Sequence, residues 1–166
     1  MSVGFPPIVG PSARVLILGS LPGVVSLKRR EYYAQPQNTF WRIMGELFGF
    51  SPELPYAART DALIAHHVAV WDVCASAHRP GSLDSAIALE SVQANDFASL
   101  YSRQIGIRLI CFNGAAASHL YKRRVMPTLR ADLREIPSRV LPSTSPAHAS
   151  VPYKAKRSAW EIVCMR

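Results

Sequence analysis

The stretch from residue 15 to residue 41 constrains the fold more than any other part of the chain. It opens on four consecutive apolar residues, Val15, Leu16, Ile17 and Leu18, and breaks at Gly19-Ser20-Leu21-Pro22-Gly23. An apolar run without polar alternation is a strand covered on both faces, the usual form of a strand in a parallel sheet. A basic and aromatic segment follows, Lys28-Arg29-Arg30-Glu31-Tyr32-Tyr33, and then Pro36-Gln37-Asn38, where a helix begins. A covered strand that hands small residues, paired tyrosines and an amide to one place builds a site, and the rest of the chain reads as its support.

Strands are expected at 14–19, 68–72, 108–112 and 138–141. Helices are expected at 39–48, 57–67, 96–105, 115–124 and 153–165, with a short helical turn at 85–88. In the first helix Phe40, Ile43, Met44, Leu47 and Phe48 fall at helical spacing, and Gly49 supplies the stop. Residues 1–13, 20–37, 73–85, 125–137 and 142–152 read as extended or looped. Four apolar strands alternating with helices imply an α/β protein, a three-layer α/β/α sandwich on a central four-stranded parallel sheet. With no repeat, low-complexity tract or linker in view, residues 1–166 read as a single domain.

Charge narrows the partner. Residues 1–100 carry 7 Lys and Arg against 8 Asp and Glu, whereas residues 101–166 carry 12 against 3. A basic half beside a balanced half suits a polyanion, so nucleic acid is the expected partner and a merely soluble basic surface is the alternative. No apolar run approaches the roughly 18 residues of a membrane span. The N-terminal residues do not have the layout of a secretory signal, and the expected location is cytoplasmic, at the nucleoid. Cys74, Cys111 and Cys164 are widely spaced and odd in number, which favours reduced, mostly buried thiols over a disulfide framework or a metal site. The five histidines show no metal-ligand spacing with carboxylates, so no metal is expected. His66-His67 reads as a satisfied helix end, favoured by the helix dipole.

In an open parallel sheet the ligand crevice lies beyond the carboxyl ends of the strands. Those ends are marked here by Ser20, Asp72, Asn113 and Ser143-Thr144. The loops after the first two strands are the longest and carry aromatic, basic, Gly and Pro residues. Gly19-Ser20-Leu21-Pro22-Gly23 matches neither a dinucleotide fingerprint nor a P-loop, and there is no GxSxG elbow.

These motifs resemble those of the uracil-DNA glycosylase superfamily. GSLPG followed by YAQPQNTFW is similar to the first motif of the mismatch-specific uracil glycosylases, and SPAHA after the fourth strand is similar to their second. Within the superfamily the hypoxanthine-DNA (deoxyinosine) glycosylase branch matches best. It pairs GSxPG with YYxxPxNxFW, WDVxxxxxRxGSLDxxI (residues 71–87), FNG (112–114) and LPSTSPA (141–147). The resemblance implies the same three-layer fold and runs from about residue 14 to residue 165. There are departures. Leu21 stands where better-known branches carry a water-activating Asp or Asn, Ser143 where their second motif opens on His or Asn, and Ala147 where they carry an intercalating Leu. In the deoxyinosine branch the catalytic role belongs to two asparagines, which fall on Asn38 and Asn113.

The resemblance thus implies a monofunctional DNA glycosylase that flips a deaminated base, chiefly hypoxanthine, from double- or single-stranded DNA and hydrolyses its glycosidic bond. Base excision repair without a metal or organic cofactor, by a monomer, is the implied setting. Asn38 can orient water toward an oxocarbenium-like sugar, or cap the helix behind it. Asn113 can give N–H to O6 and accept N1–H, a pattern shared by hypoxanthine and uracil, or cap the helix at Ala115. Tyr33 aligns with the aromatic on which the base stacks, while Tyr32 can be structural. Gly19, Ser20, Leu21 and Pro22 form a close backbone wall, and His148 can meet the departing base or a phosphate. Ser143, Thr144 and Ser145, in a loop continued by Pro146 and Ala147, suit phosphates. Lys154 joins them, with Lys28, Arg29, Arg30, Lys156 and Arg157 as weaker candidates. Asp72 reads as a loop-ordering group that pairs with Arg79 or accepts backbone N–H, with a catalytic role as the alternative. The rival readings are a uracil or mismatch-uracil glycosylase, and a non-catalytic nucleic-acid-binding module.

Overall fold

A computed structural model of the protein describes residues 1–164. In chain order the strands are β1 Ser2–Val3, β2 Val15–Gly19, β3 Val68–Asp72, β4 Cys74–Ala77, β5 Gln93–Ala94, β6 Leu109–Asn113 and β7 Ser138–Leu141. The helices are α1 Val24–Arg29, α2 Phe40–Phe48, α3 Tyr56–Ala65, α4 Phe97–Arg103, α5 Ala115–Arg124, α6 Ala131–Arg134 and α7 Tyr153–Trp160. The last expected helix ends in a 3-10 turn, Glu161–Cys164, and its final residue, Met165, lies outside the described residues.

The central sheet has the order β3-β2-β6-β7, and all its pairings are parallel. Every residue of β2 and β3 is buried, which is what their unbroken apolar runs require. Two aromatic clusters cover this sheet. In one, Trp71 and Phe112 of β3 and β6 reach Phe97 of α4 and Tyr121 of α5. In the other, Phe40 of α2 meets Trp41, Trp160 of α7 and Tyr33. The fold is the expected α/β/α sandwich.

A second sheet, β1-β4-β5, is antiparallel and was not expected. Its strands are two or four residues long, and β4 reads Cys-Ala-Ser-Ala, with no β-branched or aromatic residue to mark it. The N-terminal segment is therefore anchored. Beyond β1, Ile8 forms an antiparallel bridge to Val70, which covers the outer edge of β3. The loop expected at 20–37 also holds α1, six residues and too short to give a periodic signal.

From β2 the chain crosses to β3 on one side, then returns to β6 on the other. The strand order reverses about β2, and a crevice opens there at the carboxyl ends of β2 and β6.

Candidate active site

Register places three functional positions in one row. Gly19 pairs with Asp72 across β2 and β3, and Leu18 pairs with Phe112 across β2 and β6, so Gly19 stands level with Asn113. Neighbouring strands in parallel register share a face, so Asp72, Gly19 and Asn113 turn to the side opposite Trp71, Leu18 and Phe112. Gly19 is the gap in this row. A Cβ there would lie 2.5 Å from Asp72 Oδ1 and 3.0 Å from Tyr33 Oη. The missing side chain lets the tyrosine come down between the aspartate and the asparagine.

Tyr33 is held for this. Its backbone is left-handed, with φ of 55°, which is unfavourable for a bulky residue. Its neighbours fix it: Tyr32 N–H donates to Tyr56 Oη at 3.0 Å, Trp41 Nε1–H donates to Tyr32 O at 2.8 Å, and Ala34 N–H donates to Ser26 Oγ at 3.1 Å. Phe40 stacks on the ring at 4.1 Å between centroids. Tyr32 is buried and donates its hydroxyl to Pro6 O at 2.9 Å, a structural contact. Burial holds the Tyr33 phenol well above its ordinary range, the Asp72 carboxyl adds to this, and the Asn113 amide opposes it. The Asn113 amide lies near enough to Tyr33 Oη to favour its phenolate as a hydrogen-bond donor would, but short of normal geometry, and among the described residues Oη has no regular hydrogen-bond partner.

Asn113 is buried and bound at both ends of its amide. Nδ2 donates to Thr144 Oγ1 at 2.9 Å, and Thr144 N–H donates to Oδ1 at 2.9 Å. One residue answering both atoms takes up the paired donor and acceptor edge of the carboxamide. One N–H and one lone pair remain, on opposite flanks. Asn38 Oδ1 accepts the N–H of Phe40 at 3.0 Å, an Asx turn that satisfies the first N–H of α2 from the residue before its N-cap, Thr39, while the same amide lines the cavity. A carbonyl oxygen has a second lone pair, and the Asn38 Nδ2 donors are not used in this turn.

The loop after β2 is fixed from outside. Arg79, its side chain 1% exposed, donates to Leu21 O at 3.2 Å, to Gly81 O at 3.1 Å and to Pro22 O. The Ser20 hydroxyl donates to Asp84 Oδ1, and Ser82 Oγ accepts the N–H of Val24 at 2.9 Å. Gly19, Ser20, Leu21, Pro22, Tyr33, Asn38, Asp72, Asn113 and residues 143–148 all line one cavity of about 760 Å³. This is within the range of small-molecule sites and large enough for a purine nucleotide.

The match to known proteins decides the family. The model of the uracil DNA glycosylase superfamily matches residues 6–165. The chain belongs to the uracil DNA glycosylase superfamily. It is 37% identical over 161 residues to a Methanosarcina acetivorans protein named hypoxanthine DNA glycosylase, covering 96% of each chain. A Methanosarcina barkeri protein of the same name is 35% identical over 158 residues, covering 95% of this chain and 94% of the relative. The solution NMR structure of a candidate uracil DNA glycosylase from M. acetivorans superposes with a TM-score of 0.81 at 35% identity, covering 98% of this chain and 96% of that one.

The fold of this superfamily member also sorts the remaining expected residues. Thr144 is buried in its contact with Asn113, while Pro146, Ala147 and His148 are exposed at the cavity mouth. Ser143 Oγ accepts the N–H of Ser145, and Ser145 Oγ accepts the N–H of Ala147, both at 3.2 Å, which leaves both hydroxyl hydrogens free to donate. Lys154 is exposed on α7, outside the cavity lining. Lys28, Arg29 and Arg30 are exposed at the end of α1.

Two candidate phosphate contacts are corrected. Lys156 is buried and donates to His148 O at 2.8 Å, which fastens the loop before α7. Arg157 is engaged by Glu46 at 2.8 Å and Glu161 at 3.4 Å. The expected Asp72–Arg79 pair is also absent: Arg79 faces loop carbonyls, with Asp84 at 3.9 Å, and among the described residues Asp72 Oδ2 has no hydrogen-bond partner. Asp84 is a cavity residue that sequence reasoning passed over, although it stands in the GSLD motif. Among the described residues no group of three or more His, Cys, Asp or Glu could hold a metal, and no helix is long and apolar enough to cross a membrane.

Proposed function

We propose that the chain is a monofunctional DNA glycosylase that flips a deaminated purine, chiefly hypoxanthine, into this cavity and hydrolyses its N-glycosidic bond, leaving an abasic site. The observation that carries this reading is the convergence of two asparagines on one cavity beside Tyr33. The names of the Methanosarcina relatives point to the same base.

Cleavage through an oxocarbenium-like sugar needs a positioned water more than a strong nucleophile. Asn38 orients that water, using the oxygen lone pair and the N–H groups that its bond to Phe40 N–H leaves over. The flipped base stacks on the face of Tyr33 that Phe40 does not cover. Asn113 gives its remaining N–H to O6, and the full two-point contact, O6 with N1–H, forms when Thr144 yields the amide edge. The backbone of residues 19–22 walls the base, and His148 closes over it from the mouth. The hydroxyls of Ser143 and Ser145 and the exposed charge of Lys154 meet the flanking phosphates. No lysine lines the cavity among the described residues, which suits hydrolysis without a Schiff base. The enzyme works as a single-domain monomer on damaged DNA, in the cytoplasm at the nucleoid.

Duplexes carrying one deoxyinosine or one deoxyuridine, incubated with the protein and cleaved at abasic sites, test the reading. Strand cleavage at deoxyinosine is the expected result. Cleavage at deoxyuridine alone overturns the choice of base, and cleavage at neither leaves a non-catalytic binding module.

A further inference from the structure

Among the described residues Asp72 is the one buried carboxylate at the inner wall of the cavity, 4% exposed at the end of β3. Its Oδ2 and Tyr33 Oη are the buried side-chain polar atoms without a partner among the described residues, and both residues meet over Gly19. Arg79, the cation that could neutralise Asp72, is committed to the carbonyls of Leu21, Pro22 and Gly81. A carboxyl kept from its counter-ion, at the floor of a base-sized cavity, is placed for proton transfer to a ligand.

We infer that Asp72 is the proton donor to the departing purine, a reading that rests on the deoxyinosine glycosylase function proposed above. Hypoxanthine leaves poorly as an anion on N9, and protonation of a ring nitrogen, N7 or N3, makes it a neutral leaving group. Uracil leaves as an anion spread over two carbonyls and has less need of an acid. The Asp72 proton passes to the ring nitrogen as the N9–C1′ bond breaks and its electron pair goes to N9. Water adds to C1′ and gives its proton to solvent, and Asp72 regains a proton from solvent. One water is consumed, and neutral hypoxanthine and an abasic sugar are formed.

The surroundings keep the acid loaded. Burial first, and the Asp84 carboxylate second, raise the Asp72 carboxyl to about 7 against the opposing charge of Arg79. The other titratable groups facing it are Tyr32, Tyr33, Tyr56 and Cys74, all themselves shifted upward, Cys74 to about 12, so they stay neutral. A general acid with a pKa near the working pH is the efficient kind, and its removal typically costs about 10²–10⁴ in rate.

The test is single-turnover release of hypoxanthine from a deoxyinosine duplex between pH 5.5 and 9, for wild type, Asp72→Asn and Asp72→Glu. Affinity for a duplex carrying 2′-fluoro-deoxyinosine, which resists hydrolysis, is measured beside it. The wild-type rate is expected to fall tenfold per pH unit above about 7. Asp72→Asn is expected to be at least ~100-fold slower at pH 6, with a flat profile and affinity within about threefold of wild type. Asp72→Glu is expected to recover part of the rate together with the pH-dependent fall. A wild-type profile that is flat, an Asn variant that keeps the fall, or parallel loss of rate and affinity in both variants overturns the acid role alone. Wild type that releases no hypoxanthine at any pH overturns the proposed function, and the acid role with it.

Discussion

Thr144 closes both ends of the Asn113 carboxamide, its N–H on Oδ1 and its Oγ1 on Nδ2, each at 2.9 Å. The carbonyl of the same residue accepts the N–H of Thr39 at 3.1 Å, one position after Asn38. One threonine therefore ties the asparagine at the end of β6 to the helix start that carries the other asparagine. The loop after β7 and the Asn38 amide are thereby held in a common frame.

This pair separates two roles of Asn113. Asn113→Ala leaves a buried N–H and a buried hydroxyl without partners and should destabilise the fold by about 1–3 kcal/mol. In Asn113→Asp both contacts survive, because the Thr144 hydroxyl can turn and donate. The aspartate variant should melt within a few degrees of wild type. It should still release hypoxanthine more than tenfold more slowly, since it has no N–H for O6. Thermal denaturation and single-turnover release on both variants check this. Equal melting points with wild-type release by Asn113→Asp would sink the base-reading role.

Asn38 is tested in the same way. Asn38→Ala removes the acceptor for Phe40 N–H, a turn contact at the start of α2 that contributes about 1 kcal/mol. Aspartate forms the same Asx turn as asparagine, so Asn38→Asp should keep full stability. Release of hypoxanthine should fall on the order of 100-fold in the alanine variant and recover in part in the aspartate variant, whose oxygen still accepts from water. A rate loss in Asn38→Ala no larger than its small loss of stability explains would leave the residue as a turn that starts α2.

Gly19→Ala tests the close approach at the centre of the row. The new methyl would lie 2.5 Å from Asp72 Oδ1 and 3.0 Å from Tyr33 Oη, so both side chains must move. Overpacking of this kind costs about 1–3 kcal/mol. Because the displaced groups are the proposed acid and the stacking ring, release should fall more than tenfold. A variant that keeps both its melting temperature and its rate would show that the row has room for a methyl group at residue 19.

How far these relationships could be read from the sequence depends on their range. The apolar runs of β2 and β3 and the helical spacing of α2 are local, and they located those elements to within a residue. The site loops followed, because strand ends and motifs mark Ser20, Asn38 and Asn113. What stayed hidden depends on where long side chains go. Arg79 lies seven residues after Asp72, and charge alone suggests that they pair. The turn at Gly81 instead directs the guanidinium to the carbonyls of Leu21 and Pro22. Lys156 and Arg157 read as exposed cations, yet one is buried beneath the His148 carbonyl and the other is matched by Glu46. Strand β4 escaped because Cys, Ala and Ser carry no strand preference, and its pairing with β1 joins residues more than 70 positions apart.

The isolation of Asp72 should also be visible in stability. Its carboxyl rises from an ordinary 3.8 to about 7 in the folded protein, chiefly because burial disfavours the charge. Between those values the folded state binds a proton that the unfolded state has released, so stability falls as pH rises from about 4 to about 7. Above that window the folded protein carries a buried, unpaired charge, and a rise of this size corresponds to roughly 4 kcal/mol as an upper figure. Asp72→Asn removes the penalty. The variant should be more stable than wild type at pH 8, by up to a few kcal/mol, and equal to it within about 1 kcal/mol at pH 4. Urea denaturation of both proteins at the two pH values measures the difference. Greater stability at pH 8 together with lost hypoxanthine release is the combination expected of a residue held in a costly environment for chemistry. A variant less stable than wild type at pH 8 would mean that the Asp72 carboxylate is supported by contacts in the fold, and the basis for its acid role would be gone.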